Sequence, residues 1–257
     1  MTASGISAAT QQAYRHCEAL VREADRDRYI AALFAPADRR PCLHALYAFD
    51  LELGRIGHVV REVLAGEIRL QWWRDALAGR VPEQVAAHPV AAALSETIAR
   101  CALPTEPIER LIDARARDLY DDPLTMLDEL AGYARQTASI IFELAARILD
   151  RDASVAEVAD PAGVAAILAV ALQDPAHHEL SSIAPADIAA RGRAALEQAR
   201  RNWPAVSPAT RPAFLSLAVT SALLRRAERN PDRSPSKGLA PWRRQWLIWR
   251  AARRGTF

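Results

Sequence analysis

Three features of this sequence predict an all-α fold, a single-domain helical bundle. Apolar residues recur at i, i+3 and i+4 from end to end, the period of an amphipathic helix. Alanine and leucine abound, while glycine numbers only 10 in 257 residues. No segment alternates β-branched and polar residues as a half-buried strand would. With 51% of residues hydrophobic and 25% charged, a chain of this length is globular in composition and able to bury a sizeable core.

The elements follow in order. Ser7 caps a first helix reaching about Ala24. A short helical pattern covers Arg28–Phe34; Pro36 and Pro41 then precede a long helix through His44–Val60. Leu64, Ala65 and Gly66 punctuate it, and Glu67–Ala78 forms the next helix. His88-Pro89 opens a helix to Ala102 and Pro107 one to Tyr120, proline being at ease in a first turn. Asp121-Asp122-Pro123 is a turn. Leu130, Tyr133, Thr137, Ile141, Leu144 and Ile148 stripe one face of a long helix, Leu124–Leu149. Further helices are predicted over about Val155–Leu172, Ala186–Asn202, Thr210–Arg229 and Trp242–Arg253. Residues 229–239 are polar, with two prolines and a glycine, and read as a loop; 240–257 read as a basic, aromatic C-terminal helix. Without an internal repeat or a composition break, 1–257 reads as one domain.

Composition excludes several classes. The net charge of +2 gives no bulk attraction for nucleic acid. Of 33 basic residues only Lys237 is lysine, a bias that fits a GC-rich genome rather than a function. Cys17, Cys42 and Cys101 are odd in number and lack C-x-x-C spacing, which points to a reducing compartment and no structural zinc. Residues 1–13 lack the basic and apolar regions of a secretory signal. The longest uncharged runs, Pro161–Gln173 and Pro212–Leu224, fall short of the roughly 20 residues a membrane span needs. The expected location is the cytoplasm, with any membrane contact peripheral, at the inner membrane.

The run Ala45-Leu46-Tyr47-Ala48-Phe49-Asp50-Leu51-Glu52-Leu53-Gly54-Arg55-Ile56-Gly57-His58, followed by Gly66-Glu67-Ile68-Arg69-Leu70-Gln71-Trp72-Trp73, resembles the first signature region of squalene and phytoene synthases. That resemblance implies an isoprenoid (trans-prenyl) synthase type of bundle. It also implies an aspartate-rich cluster that binds magnesium and a prenyl diphosphate. Such a cluster neutralises a leaving diphosphate, and its carboxylates must lie one helical turn apart to share a face. Here the expected positions read Gly54, Arg55 and His58. Asp50 and Glu52 are two residues apart, about 200° around a helix, and cannot grip one ion together.

The second signature is expected in 163–186. Gly163-Val164-Ala165-Ala166-Ile167-Leu168 resembles its start, but only Asp174 remains of its acidic cluster, followed by Pro175, His177 and His178. These three side chains read as an ordinary polar turn more readily than as a metal site. Tyr133-Ala134-Arg135-Gln136-Thr137-Ala138-Ser139 resembles the pocket-lining helix, with Ser139 in place of glycine. Tyr47, Asp50, Glu52, Arg55, Tyr133, Gln136, Thr137 and Asp174 are therefore the candidates for a remnant pocket, the alternative for each being a core or surface role. Trp72 or Trp73 must face the interior.

Within the family, Phe49-Asp50-Leu51-Glu52 and Gly66–Trp73 resemble the divergent branch that includes the mitochondrial complex I assembly factor. This implies a non-catalytic binding or assembly protein, with respiratory complex I subunits or an isoprenoid or quinone lipid as partners. The alternative is an active head-to-head prenyl diphosphate transferase with an atypical site. No cofactor is expected; magnesium enters only under that alternative. Trp242, Trp246 and Trp249 share one stripe with Arg243, Arg244 and Arg250 alongside. The helix either docks its tryptophans on the bundle or contacts a membrane surface through these six residues.

Overall fold

In the computed structural model, residues 7–59, 62–120, 126–173, 183–229 and 238–257 are described, and among them every regular element is a helix. The chain divides into two units, Met1–Tyr120 and Asp121–Phe257, each with its own core.

The first unit contains α1 (Ala8–Ala24), α2 (Arg26–Ala32), α3 (Arg40–Val59), α4 (Val63–Leu77), α5 (Pro82–Ala87), α6 (Pro89–Cys101) and α7 (Glu106–Arg115), then a 3₁₀ turn, Ala116–Leu119. Ser7 caps α1, its hydroxyl accepting from the Thr10 amide at 3.1 Å. Asp25 caps α2 in the same way through the Arg28 amide, at 3.0 Å. Pro82, Pro89 and Pro107 each stand in a first turn, where the missing N–H would have had no helical partner. α1, α3 and α6 pack around Cys17, Val21, Leu43, Leu46, Phe49, Val90 and Leu94, all buried. Trp73 is the inward tryptophan, edge-on to Phe49 at 4.9 Å, while Trp72 lies at the rim and donates its indole N–H to Gln84.

The second unit is built around α10 (Ala156–Ala171), packed by α8 (Leu127–Gln136), α9 (Ala138–Leu149), α11 (Pro185–Asn202) and α12 (Leu217–Arg229), with α13 (Pro241–Arg254) against α12. α10 is apolar nearly all round, which is the pattern of a central helix. Pro161 lies inside it and cannot donate to the carbonyl of Glu157; the Asn202 side chain does so instead, at 3.1 Å.

The long helix expected over Leu124–Leu149 is two helices in the described part. Thr137 leaves helical geometry (φ −124°, ψ −89°), and its hydroxyl donates to the Tyr133 carbonyl at 2.8 Å, the back-bonding that bends helices. Just beyond the break, Ser139 lies against Gly163: a Cβ at Gly163 would stand 2.6 Å from Ser139 Cα, so glycine is what lets α9 and α10 meet. The helix expected over Thr210–Arg229 is a 3₁₀ turn, Arg211–Phe214, followed by α12 from Leu217. The loop at 229–239 and the turn at Asp121-Asp122-Pro123 fall largely or wholly outside the described residues.

Candidate functional site

On α3 the residues Tyr47, Asp50 and Gly54 follow one another at helical spacing and face the interior of the first unit. Asp50 is buried, and each of its carboxylate oxygens is held by a different arginine. Arg28 of α2 donates Nη1–H to Oδ2 at 2.6 Å, and Arg115, the last residue of α7, donates Nη2–H to Oδ1 at 2.9 Å. The array extends outward: Arg28 also pairs with Asp25 at 3.2 Å, and Arg115 with Asp118 at 3.3 Å. Tyr47 lies under the Arg28 guanidinium, 5.4 Å from its ring centre.

One glycine makes this approach possible, and a second borders it. A Cβ on Gly54 would stand 4.0 Å from the Arg115 guanidinium, an ordinary contact distance, so the group beside that position is a cation. At Gly57 a Cβ would meet the Asp118 carbonyl at 2.5 Å; only glycine lets the 3₁₀ turn lie flush on α3 and bring Arg115 and Asp118 to Asp50.

Electrostatics follow from the packing. Burial would push the Asp50 carboxyl up, but Arg28 and Arg115 outweigh it and hold the group below the usual carboxylate range. Burial likewise works against the charge of Arg28, and Asp50 and Asp25 more than restore it. The Tyr47 hydroxyl is pushed up by burial and stays protonated. The magnesium that the first-signature resemblance implies does not fit these residues. Both oxygens of the one buried carboxylate are already bonded to cations, and a second carboxylate one turn along is absent from α3. Among the described residues no three His, Cys, Asp or Glu side chains converge as a metal would require.

Glu52 falls on a different side of α3, as its spacing from Asp50 predicted. It lines a cleft of about 470 Å³ with Arg55, Arg69, Trp72, Trp73 and His88. Burial pushes the Glu52 carboxyl up to about 7, with Arg55 opposing. His88 accepts the Ala91 amide on Nδ1 and places Nε2 3.6 Å from Glu52; burial depresses its basicity. Arg55 is therefore an exposed cleft residue, separate from the Asp50 array.

The remaining candidates belong to the second unit. Tyr133 and Thr137 are buried at the α8–α9 break, Gln136 is exposed, and Asp174, with His177 and His178, lies outside the described residues. Of the two readings of the C-terminal tryptophans, docking on the bundle is not the one the structure has: Trp242, Trp246 and Trp249 are 70%, 48% and 51% exposed. Leu247, Ile248 and Ala251 form the docked face instead, against α12.

Arg28 and Arg115 are absent from the candidates drawn from the sequence. The signal was present. Arg115 continues the buried stripe Ile108, Leu111, Ile112 at i+3, and Arg28 lies three and four residues before buried Ala31 and Ala32. A charge on an apolar stripe announces a buried partner.

The Squalene/phytoene synthase family model matches residues 21–183. The chain belongs to the squalene/phytoene synthase family. Within it, the sequence is 32% identical over 135 residues to NADH dehydrogenase (ubiquinone) complex I, assembly factor 6 of Bos taurus, covering 52% of this chain and 40% of that protein. The Drosophila melanogaster homolog of that factor is 26% identical over 253 residues, covering 84% of this chain and 75% of its own. The chain thus spans about two fifths of the length of the bovine relative. A dehydrosqualene synthase crystal structure superposes with a TM-score of 0.75 at 16% identity, covering 95% of this chain and 97% of that one, which establishes the isoprenoid-synthase type of all-α fold.

Proposed function

We propose that this squalene/phytoene synthase family member is a non-catalytic binding protein, an assembly factor for a respiratory complex I, working in the cytoplasm against the inner membrane. The observation that carries the reading is the Asp50 array: Arg28 and Arg115 take up both oxygens of the carboxylate on the helix where the family's ion-binding aspartates are expected. A diphosphate leaving group needs divalent cations to absorb its developing charge, and an arginine-saturated carboxylate cannot recruit them. Likeness to the complex I assembly factors supplies the kind of partner. Their identity to this chain lies over part of their length, so the partner is tested directly. Neither role uses a cofactor.

Purified protein incubated with magnesium and farnesyl or geranylgeranyl diphosphate should release no diphosphate above a no-protein control. Release well above it establishes the prenyltransferase alternative. A tagged chain should co-purify respiratory-chain subunits; if it retains an isoprenoid or quinone and no subunit, a lipid-binding role replaces assembly.

A further inference from the structure

α13 carries five arginines and no acidic residue, in a chain whose net charge is only +2. At about 100° per residue, Trp242, Trp246 and Trp249 fall within about 60° of one another, opposite the docked Leu247, Ile248 and Ala251. Arg250 lies over the Trp246 ring at 4.6 Å and Arg253 over Trp249 at 5.8 Å, so the exposed face alternates indole and guanidinium. On the flank between the exposed and docked faces, Arg250 and Arg254 join Arg200 of α11 and Arg225 of α12 around a cleft of about 210 Å³. No Asp or Glu side chain lines that cleft, although Phe257, the last residue of the sequence, does, with its main-chain oxygen beside Arg200. Arg200 and Arg225 both donate to the Ser221 hydroxyl, each at 2.9 Å, and Arg200 donates to the Phe257 backbone oxygen at 3.3 Å. Burial first, and then the nearby Arg225, lowers the basicity of Arg200, with Glu197 opposing.

From these two features together we infer that α13 and the four-arginine cleft form a docking surface for anionic phospholipid at a bilayer. The cleft takes a headgroup phosphate, and Trp242, Trp246 and Trp249 enter the interfacial region. Arginine suits the phosphate because its planar fork donates two parallel hydrogen bonds. Exposed tryptophan suits the interface because its ring is apolar and its N–H stays near water. A protein surface would bury these indoles equally well, but it would need an acidic face matching the cleft arginines. An anionic leaflet supplies that charge everywhere. This inference refines the membrane part of the function proposed above and is independent of whether the chain catalyses anything.

The test uses the full chain and sedimentation with vesicles of equal parts phosphatidylglycerol and phosphatidylcholine, against pure phosphatidylcholine. Wild type should bind the anionic vesicles with affinity that falls as salt rises, and bind the neutral ones weakly. Trp242→Ala/Trp246→Ala/Trp249→Ala should lose roughly tenfold or more. Arg250→Glu/Arg254→Glu should lose the preference for phosphatidylglycerol, again roughly tenfold or more. The variants change side chains that are exposed or, for Arg250, half-buried, and unaltered thermal midpoints will show that they fold. Equal binding by wild type and both variants overturns the inference while leaving a membrane role intact. Binding to neither vesicle overturns both. If inorganic phosphate raises the wild-type thermal midpoint and abolishes the vesicle preference at millimolar concentration, the cleft serves a soluble phosphate and the bilayer assignment fails.

Discussion

Replacing Asp50 by asparagine tests the central array most directly. The substitution keeps the shape and removes the charge that balances two guanidinium groups with side-chain exposures of only 25% and 15%. Removing one partner of a buried ion pair costs about 3–5 kcal/mol, because the remaining charge is left desolvated. Arg28 keeps Asp25 and Arg115 keeps Asp118, so the lower end, about 3 kcal/mol, is expected here. For a chain of this size that is a fall in thermal midpoint of roughly 6–12 °C. Circular dichroism melts of wild type and Asp50→Asn, with and without magnesium, give the answer. The pH dependence has a fixed sign. A carboxyl depressed in the folded state contributes stability above its unfolded pKa of about 3.9 and loses it as pH falls through the lower folded value. The gap between the two proteins should therefore be flat from pH 7 to 5 and close only below about pH 4. A midpoint shift under about 2 °C, less than 1 kcal/mol on the same scale, would refute the reasoning. So would magnesium stabilising wild type and not the variant, since Asp50 would then be a metal ligand.

Three further outcomes are expected. Converting Asp50, Arg28 and Arg115 together to leucine or methionine should cost less than Asp50→Asn alone in urea titrations, because both guanidinium groups leave with the carboxylate and only Asp25 and Asp118, each about a quarter exposed, lose a partner; a larger loss would mean that the array specifies the fold. The Glu52 carboxyl, raised to about 7 by burial, makes the folded state the better proton binder, so stability falls as pH rises from the ordinary carboxylate range through 7. Glu52→Gln should accordingly raise the melting midpoint at pH 8 and leave it nearly unchanged at pH 4, and identical shifts at both would contradict this. Gly163→Ala should destabilise by about 2–3 kcal/mol, since the new methyl group meets Ser139 backbone. Gly192→Ala should cost less, because its neighbour is the movable end of the Leu224 side chain; the reverse order in a denaturation series would be inconsistent with the packing described.

Most helices were legible as sequence because an amphipathic period and its punctuation are local properties. Proline in first turns, Ser7 as a cap and the apolar 156–171 stretch each act within a few residues. The break at Thr137 was not legible: Tyr133 to Ile148 keep their stripe across it, and the bend lies in one hydroxyl bonding back to a carbonyl. The short α5 helix, Pro82–Ala87, was also missed, being too brief and too polar to show a period.

The sequence alone determined the helical class, the family and the loss of acidic spacing on α3, since residue identities at fixed helical intervals decide which side chains share a face. Tertiary structure decided what replaced the lost acids. Arg28, Asp50 and Arg115 are separated by 22 and 65 residues, and their meeting depends on α2, α3 and α7 packing together, with glycine at 57 admitting the turn that carries Asp118. It decided equally that the α13 tryptophans face outward, because burial depends on how much surface a neighbouring helix offers, a quantity no local pattern contains.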